Sequence, residues 1–223
     1  MKKQFALALL CAIIITLASC KKESAEEVEI TPPVEAKDIP AAATKFVVDT
    51  VASSIAWGGS KPTGKHTGTI HLLKGELFIK DSLLESGKFT IDMKSITVTD
   101  LKDAKQKQDL ENHLKGLKAD AADHFFNTTK YPTGLFEITA ITKAEGKDMV
   151  EGNLTLKDIS KNIKFPAVIT ITDSTVAIES ESFKIDRTLW NINFSSKSAF
   201  ENLGNNYIDD DIELKVTVNA KRP

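Results

Sequence analysis

Apolar and polar residues alternate with a period of two along most of the chain after Thr44, and this pattern predicts short β-strands. Lys88–Thr99 sets Phe89, Ile91 and Met93 against Lys88, Thr90, Asp92 and Lys94. Asp211–Asn219 sets Ile212, Leu214, Val216 and Val218 against Asp211, Glu213, Lys215 and Thr217. Similar runs cover Phe46–Val48, Ser54–Lys61, His66–Leu73, Glu76–Lys80, Leu135–Lys143, Met149–Leu156, Asn162–Thr172 and Thr175–Ile185. Lys74-Gly75 reads as a break between two strands, and Gly58-Gly59 as a bend or bulge. Glu145-Gly146-Lys147-Asp148 reads as a hairpin turn. Pro166 is tolerated only at an edge, bulge or bend, because it has no N–H to donate to a ladder.

One stretch departs from this pattern. Leu110, Leu114 and Leu117 recur at helical spacing among charged residues, so Asp103–Lys115 is expected to be an amphipathic helix stopped by Gly116. A short turn carrying Phe125 and Phe126 follows, and Tyr131-Pro132 returns the chain to extended structure. The helical excursion thus spans about 103–127, and it is expected to cover an open barrel end or a sheet edge.

Short connections between strands favour antiparallel neighbours. Strands with one dry face must close into a barrel or pack as a sandwich. The expected fold is therefore all-β, an antiparallel barrel of about eight strands. Such a barrel holds side chains or one small ligand. A polar exterior opposes an outer-membrane pore, and an unfilled apolar interior would be a hydrophobic ligand cavity. No Cys…Trp…Cys framework supports an immunoglobulin domain, and no repeat supports a propeller.

The N-terminus reads differently. Met1-Lys2-Lys3 is a basic start, and Phe5–Leu17 is an apolar run too short to span a bilayer. Leu17-Ala18-Ser19-Cys20 matches the bacterial lipobox, so residues 1–19 are expected to be a lipoprotein signal peptide and Cys20 the lipidated residue. Lys21 rather than Asp follows Cys20, which favours outer-membrane attachment, on the periplasmic or the surface face. Residues 20–43, with Pro32, Pro33 and Pro40, are expected to form an extended, mobile tether. The barrel domain is expected over 44–223. The 29 basic and 31 acidic residues give no sign of a nucleic-acid partner. Cys11 and Cys20 are the two cysteines, so the processed chain keeps no disulfide chemistry.

Several segments then fall into a known order: Trp57-Gly58-Gly59, Lys65-His66-Thr67-Gly68, Gly87-Lys88-Phe89, His113-Leu114-Lys115, Phe125-Phe126, Tyr131-Pro132, Gly152-Asn153-Leu154, Phe165-Pro166 and Asp186-Arg187 with Trp190. This succession resembles the YceI-like, polyisoprenoid-binding family over about Lys45–Ala220. The resemblance implies an extended lipocalin-like barrel with a helical segment beside or over it. It also implies an elongated apolar cavity for an isoprenoid chain or a fatty amide, and a binding, carrying or storing role without catalysis. The expected partner is therefore a lipid such as an isoprenoid quinone or polyprenyl species, with no other cofactor. The Lys118–His124 stretch is longer and more polar than is usual in the family, which implies a different mouth or lid.

Trp57, Phe89, Phe125, Phe126 and Phe136 are the expected cavity lining. His66 either meets a polar head group near the mouth or is buried against a backbone carbonyl. Arg187 either pairs with Asp186 or another rim acid, or contacts an anionic head group. The four histidines show no metal-ligand spacing, and Asp123-His124 has no marked nucleophile to serve. A surface interaction module on a filled barrel is the alternative reading, and an enzyme ranks below both.

Overall fold

The computed structural model describes residues 25–223. The expected signal peptide and the Cys20 lipidation site lie outside the described residues. The described chain is an all-β, closed, lipocalin-like barrel of eight strand positions with one α-helix. Of the twelve strand segments, ten share these positions and two short ones fill a gap between them.

The wall begins with β3 (Thr44–Val48) and β4 (Ser54–Lys61), which together fill one position. Both pair with the long β5 (Gly64–Lys80), β4 along its first half and β3 along its second. The wall continues through β6 (Leu83–Val98), β7 (Thr133–Ala144), β8 (Lys147–Leu156) and β9 (Ile159–Ile171), each antiparallel to the one before. Then come β10 (Thr175–Ser180) and β11 (Phe183–Asp186), which share one position, and β12 (Asp211–Lys221). β12 pairs back onto β3 and β4 and closes the ring.

Three details differ from the sequence pattern. β5 is one strand of 17 residues, not two, and Lys74-Gly75 lies inside it. A Cβ at Gly75 would stand 2.8 Å from both Phe89 and Val48, so this glycine permits close packing rather than a turn. Register shifts fall between β5 and β6, at Thr69/His71, Leu72/Lys74 and Phe78/Ile79, and between β7 and β8 at Ile138/Ala140, while β4 passes Gly58-Gly59 with no shift of register. In β6 the backbone loops at Asp92–Ser95, where Ser95 Oγ donates to Asp92 O at 2.6 Å and accepts from His71 N at 2.8 Å. The inward face therefore moves from Phe89, Ile91 and Met93 to Ile96 and Val98.

The third difference concerns the ends of the wall. The pattern predicts one strand over Thr175–Ile185, but the chain breaks at Glu181-Ser182. β10 pairs with β9 on one side and β12 on the other. Beyond the break, β11 stays with β12 and leaves β9. Pro166 marks this place on β9: its carbonyl accepts the last bond, from Glu181 N at 3.1 Å. Past that point no pairing joins β9 to β11 among the described residues.

Residues expected to be tether fill this gap. β1 (Glu26–Glu27) pairs parallel with β11, and β2 (Ile30–Thr31) pairs antiparallel with β9. Val28 and Ile30 turn inward onto the core, while Glu27 and Glu29 stay exposed. Val34 is then held by Asn153, whose side chain accepts from Val34 N at 3.0 Å and donates to Val34 O at 2.6 Å.

The helix forms where the spacing predicts it. α1 (Ala104–Lys115) is capped by Asp103, whose side chain accepts from Gln106 N, and it ends at Gly116 in the left-handed region (φ 69°). Leu114 turns toward the barrel interior, but Leu117, beyond the cap, is exposed. The helix lies across one barrel end, where Glu111 accepts from Val98 N at 2.8 Å.

Candidate functional site

Inward-facing side chains of the wall leave a narrow cavity along the barrel axis, of about 120 Å³. Every side chain lining it is Ile, Leu, Val, Met, Phe or Trp, and no charged or hydroxyl group reaches it. Four phenyl rings run in series across the wall. Phe89 and Phe136 have centroids 6.2 Å apart, Phe136 and Phe165 5.9 Å, and Phe165 and Phe183 4.5 Å with only 5° between their planes. That last contact bridges β9 and β11, the two strands with no main-chain pairing between them. A chamber of this composition cannot stabilise a charge, and it has no nucleophile to offer; it can only hold hydrocarbon.

Leu114 of α1 and Phe126 close the cavity at the helical end. Behind them lies a layer that does not line it. Phe125 is buried against His113 (centroids 5.2 Å) and Phe194 (5.6 Å). His113 Nε2 and His124 Nδ1 are 2.9 Å apart, and the His124 ring stacks on Phe194 at 4.0 Å. Burial first, then the neighbouring His124 and Lys118, hold the His113 pKa below its ordinary value. Asp123 does not address His124; it accepts from Asn127 Nδ2 at 2.9 Å.

The family follows from the sequence once this architecture is in view. A YceI-like domain matches residues 46–220. The chain belongs to the YceI-like family. Its fold is similar to the crystal structure of Burkholderia cenocepacia BcnA, with 20% identity and a TM-score of 0.59 over 77% of this chain and 98% of that one. It is also similar to a polyisoprenoid binding domain from Saccharophagus degradans implicated in plant cell wall breakdown, with 12% identity and a TM-score of 0.55 over 80% of this chain and 98% of that one. No curated protein matches.

Within this YceI-like barrel the residues singled out in the sequence take different places. Trp57, Phe89, Phe126 and Phe136 line the cavity, and Phe125 sits in the layer behind. The Trp57 ring lies on Gly68 of the neighbouring strand, where a Cβ would come within 2.5 Å of it. Its Nε1 is buried without a hydrogen-bond partner.

His66 is outside the cavity. Its Nδ1 lies 2.9 Å from Asp100 Oδ2, and Asp100 also accepts from Thr67 N, so the pair fastens the β5 start to the β6 end. Its side-chain partner among the described residues is a carboxylate, not a backbone carbonyl.

Arg187 is also away from the cavity. It is 1% exposed and donates to four main-chain carbonyls: Asp209 (3.1 Å), Ile192, Phe194 (3.1 Å) and Ile208 (3.0 Å). Its nearest carboxylate is Asp210, at 3.7 Å. Asp186, the partner expected from its adjacency in sequence, instead caps the turn that follows by accepting from Thr188 N and Oγ1. Burial lowers the Arg187 pKa against the pull of Asp210, Asp186 and Asp209. Arg187 therefore ties the Arg187–Asp210 loop to itself, spending four of its five N–H donors on main-chain carbonyls.

Phe165, Phe183, Ile163 and Ile185 complete the lining on the β9 and β11 side. Their alternation was legible, but which strand ends face each other across a gap was not.

Proposed function

We propose that this protein takes the hydrocarbon chain of an isoprenoid or related lipid into its barrel and carries or stores it in the cell envelope. The continuous, wholly apolar cavity carries this reading. Each methylene moved from water into such a wall gains about 0.8 kcal/mol, so a chain supplies its own driving force. The absence of charge in the lining favours chains over head groups, which leaves head-group choice to the cavity ends. The name of the Saccharophagus degradans domain supports the same ligand class. In this reading the lipobox Cys20 anchors the protein to the outer membrane, on its periplasmic or surface face.

One observation favours a second reading, a filled barrel whose exterior binds a protein or glycan. The cavity volume of about 120 Å³ is nearer to a benzene-sized hole than to the ~300–1,000 Å³ of ordinary ligand sites. A long chain enters only if the wall moves.

Native mass spectrometry with lipid extraction, on protein purified without detergent, separates the two. One bound mass of a quinone, polyprenyl species or fatty amide, lost in Phe126→Glu, is the result expected of a carrier. An apo mass that persists after isoprenoids are added refutes it and leaves the interaction module.

A further inference from the structure

The cavity is too small for a long chain while the wall is closed, so uptake requires part of the wall to give. Its seams are unequal. β8 and β9 are joined over nine consecutive residue pairs, from Asp148↔Ala167 to Leu156↔Ile159. The helical end is held by the four carbonyl bonds of Arg187 and by Glu111 on Val98 N. Between β9 and β11 the wall is completed, among the described residues, by residues 26–31, through two pairs on each side and the bond from Val28 N to Lys184 O at 3.1 Å. Inside this seam the stacked rings of Phe165 and Phe183 meet, and both line the cavity.

We propose that residues 26–34 form a displaceable strand that closes a lateral portal between β9 and β11, and that the lipid chain enters and leaves there. The proposal rests on the lipid-binding reading above. Displacing the strap breaks few main-chain bonds, and the two flanking strands are then free to part because no other described residues pair them. Swinging Phe165 off Phe183 opens the chamber along its length, which suits a long chain better than threading past Leu114 and Phe126 at the helical end.

The direction of the strap gives the portal a target. Glu26 lies six residue steps after Cys20, a distance of at most about 20 Å when extended. A free tether to residue 43 would reach about 80 Å. If Cys20 carries the anchor, docking of the strap holds the seam against the bilayer that supplies the lipid. Release of the strap lengthens the leash as it opens the wall.

The test is a reversible lock. Glu27 and Lys184 are partners on β1 and β11, and both point away from the core. Neighbouring strands at this spacing bring Cα atoms within disulfide range. The full-length Glu27→Cys/Lys184→Cys protein, with the bond verified by peptide mapping, is mixed with phosphatidylethanolamine–phosphatidylglycerol vesicles carrying dansyl-labelled farnesol. Uptake at least tenfold slower in the oxidised than in the reduced protein is expected. A companion variant, Val28→Asp/Ile30→Asp, loosens the strap and is expected to take up the probe several-fold faster than the native chain. Equal rates in the oxidised and reduced states overturn the portal and place entry at the helical end, with lipid binding intact. No uptake in any state overturns the binding reading and the portal together.

Discussion

The side-chain amide of Asn153 exchanges two hydrogen bonds with the backbone of Val34, 119 residues earlier, in the manner of a neighbouring strand. Asn153 is in turn fixed by Asn162 Nδ2, which reaches both Asn153 Oδ1 and Thr139 Oγ1 at 3.1 Å. This buried amide ladder holds the N-terminal strap to the outer wall. Asn153→Ala removes both bonds to Val34 and leaves Asn162 with only part of its bonding. A loss of about 1–3 kcal/mol is expected, with faster hydrogen exchange at residues 28–34 and unchanged protection in β5 and β6. Uniform loss of protection across the barrel would show that the strap is an integral strand.

Arg187 should be indispensable to folding rather than to binding. Arg187→Met strands four carbonyls, one buried and three part-buried, and leaves Asp210 without its nearest cation. The expected cost is about 3–5 kcal/mol by urea denaturation. Arg187→Lys keeps the charge but cannot spread its donors over four acceptors, so it should recover only part of that loss. A near-native midpoint for Arg187→Met would mean that the carbonyls find other partners.

Gly152 sets the position of a cavity wall. A Cβ there would lie 2.4 Å from the Phe136 ring and 2.6 Å from Glu137 O. Gly152→Ala must push Phe136 toward the cavity or strain the β7–β8 ladder, an overpacking cost of about 1–3 kcal/mol. If lipid occupies the chamber, the same change lowers bound lipid per mole in mass spectra. Unaltered stability and loading would show that β7 and β8 yield at this point.

The His113 pKa, held low by burial and then by His124 and Lys118, gives stability a pH dependence. An unfolded chain takes up a proton at this residue near the ordinary value of 6.5, where the folded protein does not. Stability should therefore be full above that value and decline as pH falls below it, until the folded form is protonated as well. Asp210 acts in a separate window. Burial alone would raise its pKa, but bonds from Ser196 and Ser198 and the charge of Arg187 outweigh this and leave it lowered. Its contribution is lost only below about pH 4, where carboxylates ordinarily titrate. Urea midpoints between pH 8 and 5 should show the first decline in the native chain and less of it in His113→Asn; identical profiles would remove His113 as the cause.

Period-two alternation was enough to predict the strands, because each residue's face follows from its neighbours alone. The helix was equally legible: Asp103, the leucine spacing and Gly116 are local signals, and the observed helix begins one residue after its predicted start. Trp57, Phe89, Phe126 and Phe136 were readable as apolar residues on dry faces, and the fold places all four on the cavity. His66 and Arg187 were read as candidates for the mouth because polar residues among strand ends invite that reading. Their partners, Asp100 and four carbonyls of the loop that Arg187 itself opens, come from folding and not from spacing.

The sequence by itself determined most of the wall strands, the helix, the apolar character of the lining and the membership of the YceI-like family, since these depend on residue type and order. Tertiary structure decided where the wall is weak. Whether Thr175–Ile185 runs as one strand or breaks at Glu181-Ser182 depends on which neighbours β9 and β12 offer, and no local pattern encodes that. The break opens the seam, and Val28 and Ile30 have somewhere to be buried only because it exists. A segment that reads as a loose tether thus becomes part of the barrel, because backbone groups left unpaired between β9 and β11 need partners and residues 26–31 lie within reach to supply them.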